Sequence, residues 1–360
     1  MLTLIIFIIV LSVLIFVHEF GHFIVAKRAG MRVEEFGFGF PPRLWGVKKG
    51  KTVYSINWIP FGGFVKIFGE DGKGKNDPRG FSSAKARIRA AVTVAGVVMN
   101  FLLAVVLLSV GNAVGLRVGL IDEVQTKQAK DVKVQIIQVA ASSPAEKAGL
   151  MILDEIVGFR AGEKEILIKN VDEVQDFISQ NKGREITILL RSGKEQKEKT
   201  LTPRSNPPPG EGALGISLAA TGIIRYPWYQ AVSRGVTDSV FVLQNTAIGY
   251  GTILKSLFTT GKAGAELSGP IGIAVITGQA ARLGFTYLMQ FVALISINLV
   301  VLNIIPFPAL DGGRLLFIVI EKLKGSPVPR RVENAVNAFG FALLILLMIY
   351  VTTKDIVKFF

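Results

Sequence analysis

Both histidines of this 360-residue chain fall in one stretch, His18-Glu19-Phe20-Gly21-His22. Positions four apart share one face of a helix, so two imidazoles can take one metal ion while the intervening Glu19 reaches a water beside it. That is the donor set of zinc-assisted peptide hydrolysis, with His18 and His22 as ligands and Glu19 as general base. The flanks are the unusual part. Residues 2–17 carry no charge, and Phe23-Ile24-Val25-Ala26 continues the apolar run beyond the motif. An ionisable group in a bilayer-length segment costs about 2 to 4 kcal/mol to insert, so three unused ones would not be expected there. A cleaved signal peptide fits poorly, because the first ten residues contain no Lys or Arg and no convincing small-residue cleavage site follows.

Two histidines do not complete a catalytic zinc site, which needs three protein ligands and an open position. The candidate third ligand is Asp311, in Asn303-Ile304-Ile305-Pro306-Phe307-Pro308-Ala309-Leu310-Asp311-Gly312-Gly313. It offers a carboxylate between two apolar runs. Pro306 and Pro308 interrupt the helix there, and broken backbone at membrane depth is tolerated only where protein or a water-filled cavity surrounds it. The competing reading makes Asp311 a helix cap paired with Arg314. Glu34, Glu35 and Glu266 are weaker candidates, because they lie in polar or linker sequence.

Composition limits the alternatives. Hydrophobic residues make up 50% of the chain and charged ones 19%, which calls for both lipid-facing and water-facing parts. Cysteine is absent, which removes thiol nucleophiles, disulfides and cysteine metal sites together. The net charge of +14 is not gathered on an aromatic-interleaved stretch, so nucleic acid is not an expected partner. Segments able to cross a hydrocarbon core of about 30 Å are expected at 1–26, 90–114, 284–314 and 335–353. The loop over 27–89 holds fourteen Lys/Arg against five Asp/Glu, whereas residues 117–204 hold fifteen against fourteen. By the positive-inside rule the first loop and the loop at 315–334 are cytoplasmic. The region between, both termini and the 354–360 tail then face outward.

Residues 115–205 read as a small folded domain. Val132 to Val139 alternates as a strand, and Ser143-Pro144 with Gly149 supplies a cap, an N1 proline and a glycine stop. Residues 154–159 form a second strand, Val171, Val174 and Ile178 share a helical face, and Glu185 to Leu190 with Ser192-Gly193 makes a hairpin. This order resembles a PDZ domain, a type that binds extended peptide ends by strand addition. The segment Pro203 to Gly210 is expected to be a stiff linker out of the domain, opening a 206–283 region with an interfacial amphipathic helix that carries Tyr226, Trp228 and Tyr229.

HEFGH, the Gly96 to Asn100 pattern, NIIPFPALDGG and the inserted domain together resemble a bacterial site-2 protease, in the regulator-of-sigma-E protease branch. The likeness covers nearly the whole chain. It departs in one respect, since many members carry two tandem PDZ domains and this chain has room for one. The resemblance implies an intramembrane zinc metalloprotease: a polytopic α-helical membrane protein of about four spans, with a re-entrant β element and one extracytoplasmic PDZ-like α/β domain. It implies Zn2+ on His18, His22 and Asp311, Glu19 as base, and Asn303 beside the site in contact with substrate. Asn100 matches a packing or polar-bridging position. Within 27–89, the Phe36 to Phe40 and Val53 to Val65 segments resemble the family's re-entrant β element, whose edge at Gly62, Gly63 and Phe64 could clamp an unwound substrate. The implied partners are the lipid bilayer and transmembrane substrates such as anti-sigma factors or remnant signal peptides, in a bacterial inner membrane. The segment Leu267-Ser268-Gly269-Pro270-Ile271-Gly272 also matches a signature of the family. A rival reading is a catalytically silent scaffold that recruits chain ends through its PDZ-like domain, though a scaffold has no need of Glu19. A metal transporter would want further polar ligands along the spans, which the fourth span lacks.

Overall fold

The computed structural model describes the chain apart from residues 1, 71–76, 121–122, 162–163, 194, 262–268 and 360. It falls into two compact units, one formed by Met1–Val110, Val232–Ala281 and Met289–Phe360, the other by Gly111–Ala231 and Arg282–Leu288.

The first unit opens with α1 (Leu2–Arg28), an apolar helix that ends on Lys27 and Arg28, where cations complement the helix dipole. Two long strands follow, β1 (Val33–Lys49) and β2 (Thr52–Ile67). Both bend back on themselves, so that Phe36, Gly37 and Phe38 are flanked by Val65, Phe64 and Gly63 on one side and by Tyr54, Ser55 and Ile56 on the other. Residues 63–67 therefore form an outer edge, and β2 packs along α1. Leu44, Trp45, Val47 and Trp58 are exposed on the hairpin. Helix α2 (Ala86–Val114) follows.

The second unit contains β3 (Leu116–Gly119), α3 (Glu123–Gln128), β4 (Lys130–Val139), α4 (Pro144–Lys147), β5 (Glu155–Ala161), β6 (Lys164–Leu167), α5 (Val171–Gln180), β7 (Ile186–Ser192), β8 (Glu195–Leu201) and β9 (Ile216–Ile224). Its sheet runs β3-β9-β4-β5-β7-β8, with β6 on β5. Ile136, Phe159, Val174, Ile188 and Leu214 fill the core, and the rings of Phe159 and Phe177 stack with centroids 4.0 Å apart. The Ser143 side chain accepts from the Glu146 amide, and Pro144 begins the short helix behind it.

One boundary moves. The Pro203 to Gly210 segment, expected to lead out of the domain, returns the chain to it: β9 pairs with both β3 and β4. Ala213 and Leu214 are buried in that core. The prolines mark an extended excursion, and the strand after it was hidden by Ala219-Ala220-Thr221-Gly222, a run with little β preference.

The chain then forms α6 (Trp228–Thr260), α7 (Pro270–Leu283), α8 (Phe285–Ile304), α9 (Asp311–Lys324) and α10 (Arg330–Phe359). Trp228, Tyr229, Val232 and Val236 leave α6 with an exposed apolar face. Two expectations change here. The 315–334 segment is a loop only in part, because α9 occupies most of it, and the last helix extends beyond 335–353 at both ends. Helices α1, α2, α8 and α10 are each long and apolar enough to cross a membrane. The expected third span stops at Ile304, where Pro306 and Pro308 break the helix before α9 restarts at Asp311.

Candidate metal centre

Helix α1 puts His18 and His22 on one face, with their Nε2 atoms 3.2 Å apart. The His22 Nδ1 lies 2.7 Å from the Val92 carbonyl of α2. In a neutral imidazole that contact places the proton on Nδ1 and leaves the Nε2 lone pair facing the site. His18 Nδ1 lies 3.4 Å from the Asn100 side-chain amide. Asn100 is fully buried and its Oδ1 has no hydrogen-bond partner among the described residues. Turning the amide over would let that oxygen accept from His18 Nδ1–H, fixing the matching tautomer. The Ser296 hydroxyl of α8 in turn donates to the Asn100 carbonyl at 2.8 Å.

The broken segment before α9 brings Asp311 to the same point. Its Oδ2 lies 3.0 Å from His18 Nε2 and 3.4 Å from His22 Nε2. The approach depends on the two glycines that follow it. A Cβ on Gly312 would lie 2.0 Å from the Ile305 carbonyl oxygen, and one on Gly313 would lie 2.3 Å from that of Phe307. The Ala309 amide is held by Asn337 Oδ1 of α10 at 3.1 Å. Asp311 opens α9, where the helix dipole favours an anion. It does not cap the helix: the capping position is Leu310, which makes no side-chain cap bond. Nor does Asp311 depend on Arg314, which forms an ion pair with Glu70.

This donor set fits a metal ion. The ligand-type atoms of His18, His22 and Asp311 converge within 4.8 Å of one another. Zinc bonds of about 2.0–2.1 Å at tetrahedral angles would separate such atoms by about 3.3 Å. Asp311 Oδ2 is buried without a hydrogen-bond partner among the described residues. Beside it, α2 leaves a gap. A Cβ on Gly96 would sit 2.5 Å from His22 Nε2 and 2.7 Å from His18 Nε2, filling the space an ion needs.

Glu19 flanks the site, and its Oε2 accepts from the Val65 amide of β2 at 3.1 Å. A cavity of about 450 Å³ opens here, and Gly63, Phe64, Val65 and Asn303 line it with the cluster. Gly62 lies just beyond this lining, against Ile15. The remaining candidates are engaged elsewhere: Glu34 with Lys66 and Glu35 with Arg43. Glu266 and the Leu267-Ser268 pair lie outside the described residues. Sequence reasoning missed Val92 and Val65, which act through backbone groups and carry no side-chain signal.

Two imidazoles and one carboxylate that converge on a point, with a second carboxylate beside them in one cavity, make the constellation of a metal-dependent hydrolase. Residues 6–347 match the model of Peptidase family M50, and the chain belongs to that family. Among its relatives is a protein of Clostridium acetobutylicum named as a zinc metalloprotease, 34% identical over 99% of this chain and 97% of the relative. A similarly named Nostoc protein is 34% identical over 96% and 93% of the two chains. Zinc metalloprotease RasP of Oceanobacillus iheyensis is 30% identical over the full length of both.

Proposed function

We propose that the chain is an intramembrane zinc metalloprotease of the site-2 type, acting in regulated intramembrane proteolysis on peptide bonds within membrane-spanning segments. The observation that carries this reading is the convergence of Asp311, from α9, on His18 and His22 beside Glu19 in the strongly apolar helix α1. His18, His22 and Asp311 would hold the ion, and zinc when bound supplies Lewis-acid polarisation of the scissile carbonyl and of a water. Glu19 takes the proton of the attacking water and returns it to the leaving amine. The Val65 amide orients its carboxylate for both transfers. Asn303, from the wall of the same cavity, donates to the oxygen that gains charge in the transition state.

A transmembrane helix hides its carbonyls in its own hydrogen bonds and must be unwound to be cut. The β2 edge supplies the replacement partners. Because the Val65 amide points away from β1 toward Glu19, the period of two sends the backbone groups of Gly63 the same way. An unwound substrate can pair there as an added strand, with Phe64 facing across to β1. Since β2 packs along α1 between Ile15 and Glu19, this edge lies at membrane depth and acts as a re-entrant element. The second unit, read as a PDZ-like domain on the outer face of a bacterial inner membrane, takes extended peptide ends. The substrate class is transmembrane remnants such as trimmed anti-sigma factors or signal peptides.

Two variants test this. Glu19→Gln should keep about one zinc per chain and lower cleavage of a single-span substrate by at least ~10²-fold. Asp311→Ala should lose the zinc, whereas alanine at Glu34 or Glu35 should not. Cleavage surviving in Glu19→Gln would remove Glu19 from the mechanism, and absence of cleavage by the zinc-loaded wild type would leave the scaffold reading standing.

A further inference from the structure

Ser12 lies on α1 about 9 Å before His18, at 1.5 Å per residue. It is 3% exposed. Its hydroxyl donates to the Pro60 carbonyl at 2.6 Å and accepts from the Gly62 amide at 3.3 Å. Both groups belong to the turn Pro60-Phe61-Gly62, which reverses β2 ahead of its edge. One hydroxyl satisfies both because it carries a donor and two acceptor lone pairs. The turn is pressed hard against the helix. Gly62 has φ +76°, and a Cβ there would lie 2.5 Å from the Ile15 side chain.

The second contact between the same two elements is Val65 N–H to Glu19, 3.1 Å. From Ser12 to Glu19 the helix advances seven residues, about 10.5 Å. From Gly62 to Val65 the strand advances three, about 10 Å. The two pegs are therefore in step. Between them lie Ile15 and Phe16, apolar surface against which a strand could slide.

We propose that Ser12 is a positioning residue that fixes the register of edge residues 63–65 against Glu19, and so selects which substrate peptide bond is presented. This rests on the reading that the edge takes the substrate as an added strand. Without the hydroxyl, the Val65 amide is the one hydrogen bond left between this stretch of β2 and α1 among the described residues, the pairing with β1 can shift along the helix as a unit, and the bond opposite Glu19 is no longer unique.

The test uses the full chain in liposomes with a single-span substrate, mapping products by mass spectrometry and measuring bound zinc. Ser12→Ala should keep its zinc, raise KM about five- to thirtyfold for the loss of its two hydrogen bonds, change kcat less, and spread cleavage to neighbouring bonds. Ser12→Thr and Ser12→Val have nearly the same shape and differ in the hydroxyl, so Thr should restore a single cleavage site and Val should not. Unchanged cleavage position and KM in Ser12→Ala would overturn the proposal. So would a loss of activity in Ala and Val that merely tracks a loss of zinc-loaded protein. A substrate with ester linkages replacing amides around the cut bond separates the two readings. If no ester slows the wild type, edge pairing itself fails. If esters slow the wild type while Ser12→Ala cuts normally, only the role of Ser12 fails.

Discussion

The two units differ in how many large apolar side chains they leave exposed. In the first unit large apolar residues such as Leu2, Ile5 and Ile9 of α1 and Phe339 and Leu346 of α10 are exposed, while Ser12 and His22 of α1, Asn100 of α2 and Ser296 of α8 are buried. In the second unit Ile136, Phe159 and Ile188 are sealed inside, while pairs such as Arg160 with Glu165 and Glu198 lie at the surface. The first unit has hydrocarbon as its natural surroundings, so burial of oil distinguishes little there, and each buried polar group must earn its place by a bond it alone can make. The second has water around it, so its apolar core supplies the stability and its surface ion pairs contribute little. Damage should follow that division: small polar or steric changes in the first unit should disable chemistry in a folded protein, and apolar truncations in the second should unfold a domain without touching the metal.

The sharpest effect on the chemistry is expected at Gly96. Gly96→Ala puts a methyl group into the space between the imidazoles, and zinc affinity should fall by on the order of 10–100-fold, with cleavage falling alongside while the helices stay folded. Metal analysis after dialysis against a weak chelator reads this directly; full zinc occupancy in Gly96→Ala would show that the ion lies elsewhere. Next comes Phe159→Ala, which should destabilise the second unit by about 3–5 kcal/mol. Hydrogen exchange should show faster exchange across β5 and β7 with zinc content unchanged, and loss of zinc would break the separation of the units.

The smallest effect concerns Asp154, buried in the second unit. Burial raises its carboxyl above the usual carboxylate value, against an opposing hydrogen bond from the Met151 amide. A raised folded-state value means that the folded unit holds the proton more firmly than the unfolded chain. The resulting stability is full below the unfolded value of about 4 and is lost as pH rises through the folded one. Melting of this unit between acid and neutral pH should show that decline, and Asp154→Asn should flatten it.

Legibility from sequence followed the same division. His18, Glu19, His22 and Asp311 stood out because ionisable residues are rare in apolar runs, and the structure brings these four to one cavity. The Val92 carbonyl and the Val65 amide left no trace, since every residue carries those groups. In the second unit the alternation of Val132 to Val139 and the face of Val174 and Ile178 marked real elements, because a water-facing sheet and helix show their buried side as periodicity. Strand β9 escaped, having proline-rich chain before it and small residues within it. The sequence assigns the start of α9, with Gly312-Gly313, to the third span and the rest to a cytoplasmic loop because of Lys322, Lys324, Arg330 and Arg331, whereas the structure makes it a separate helix whose glycines let Asp311 reach the histidines.

The candidate donor set of His18, His22 and Asp311 is divided between α1 and α9, which has a consequence for biogenesis. During synthesis α1 emerges with both imidazoles and the base in place, yet two side chains on one helix make only a partial coordination sphere. The third arrives nearly three hundred residues later, through a segment whose fold depends on α10 to hold Ala309. The donor set that converges in the full chain is thus incomplete in any nascent chain that ends before Asp311.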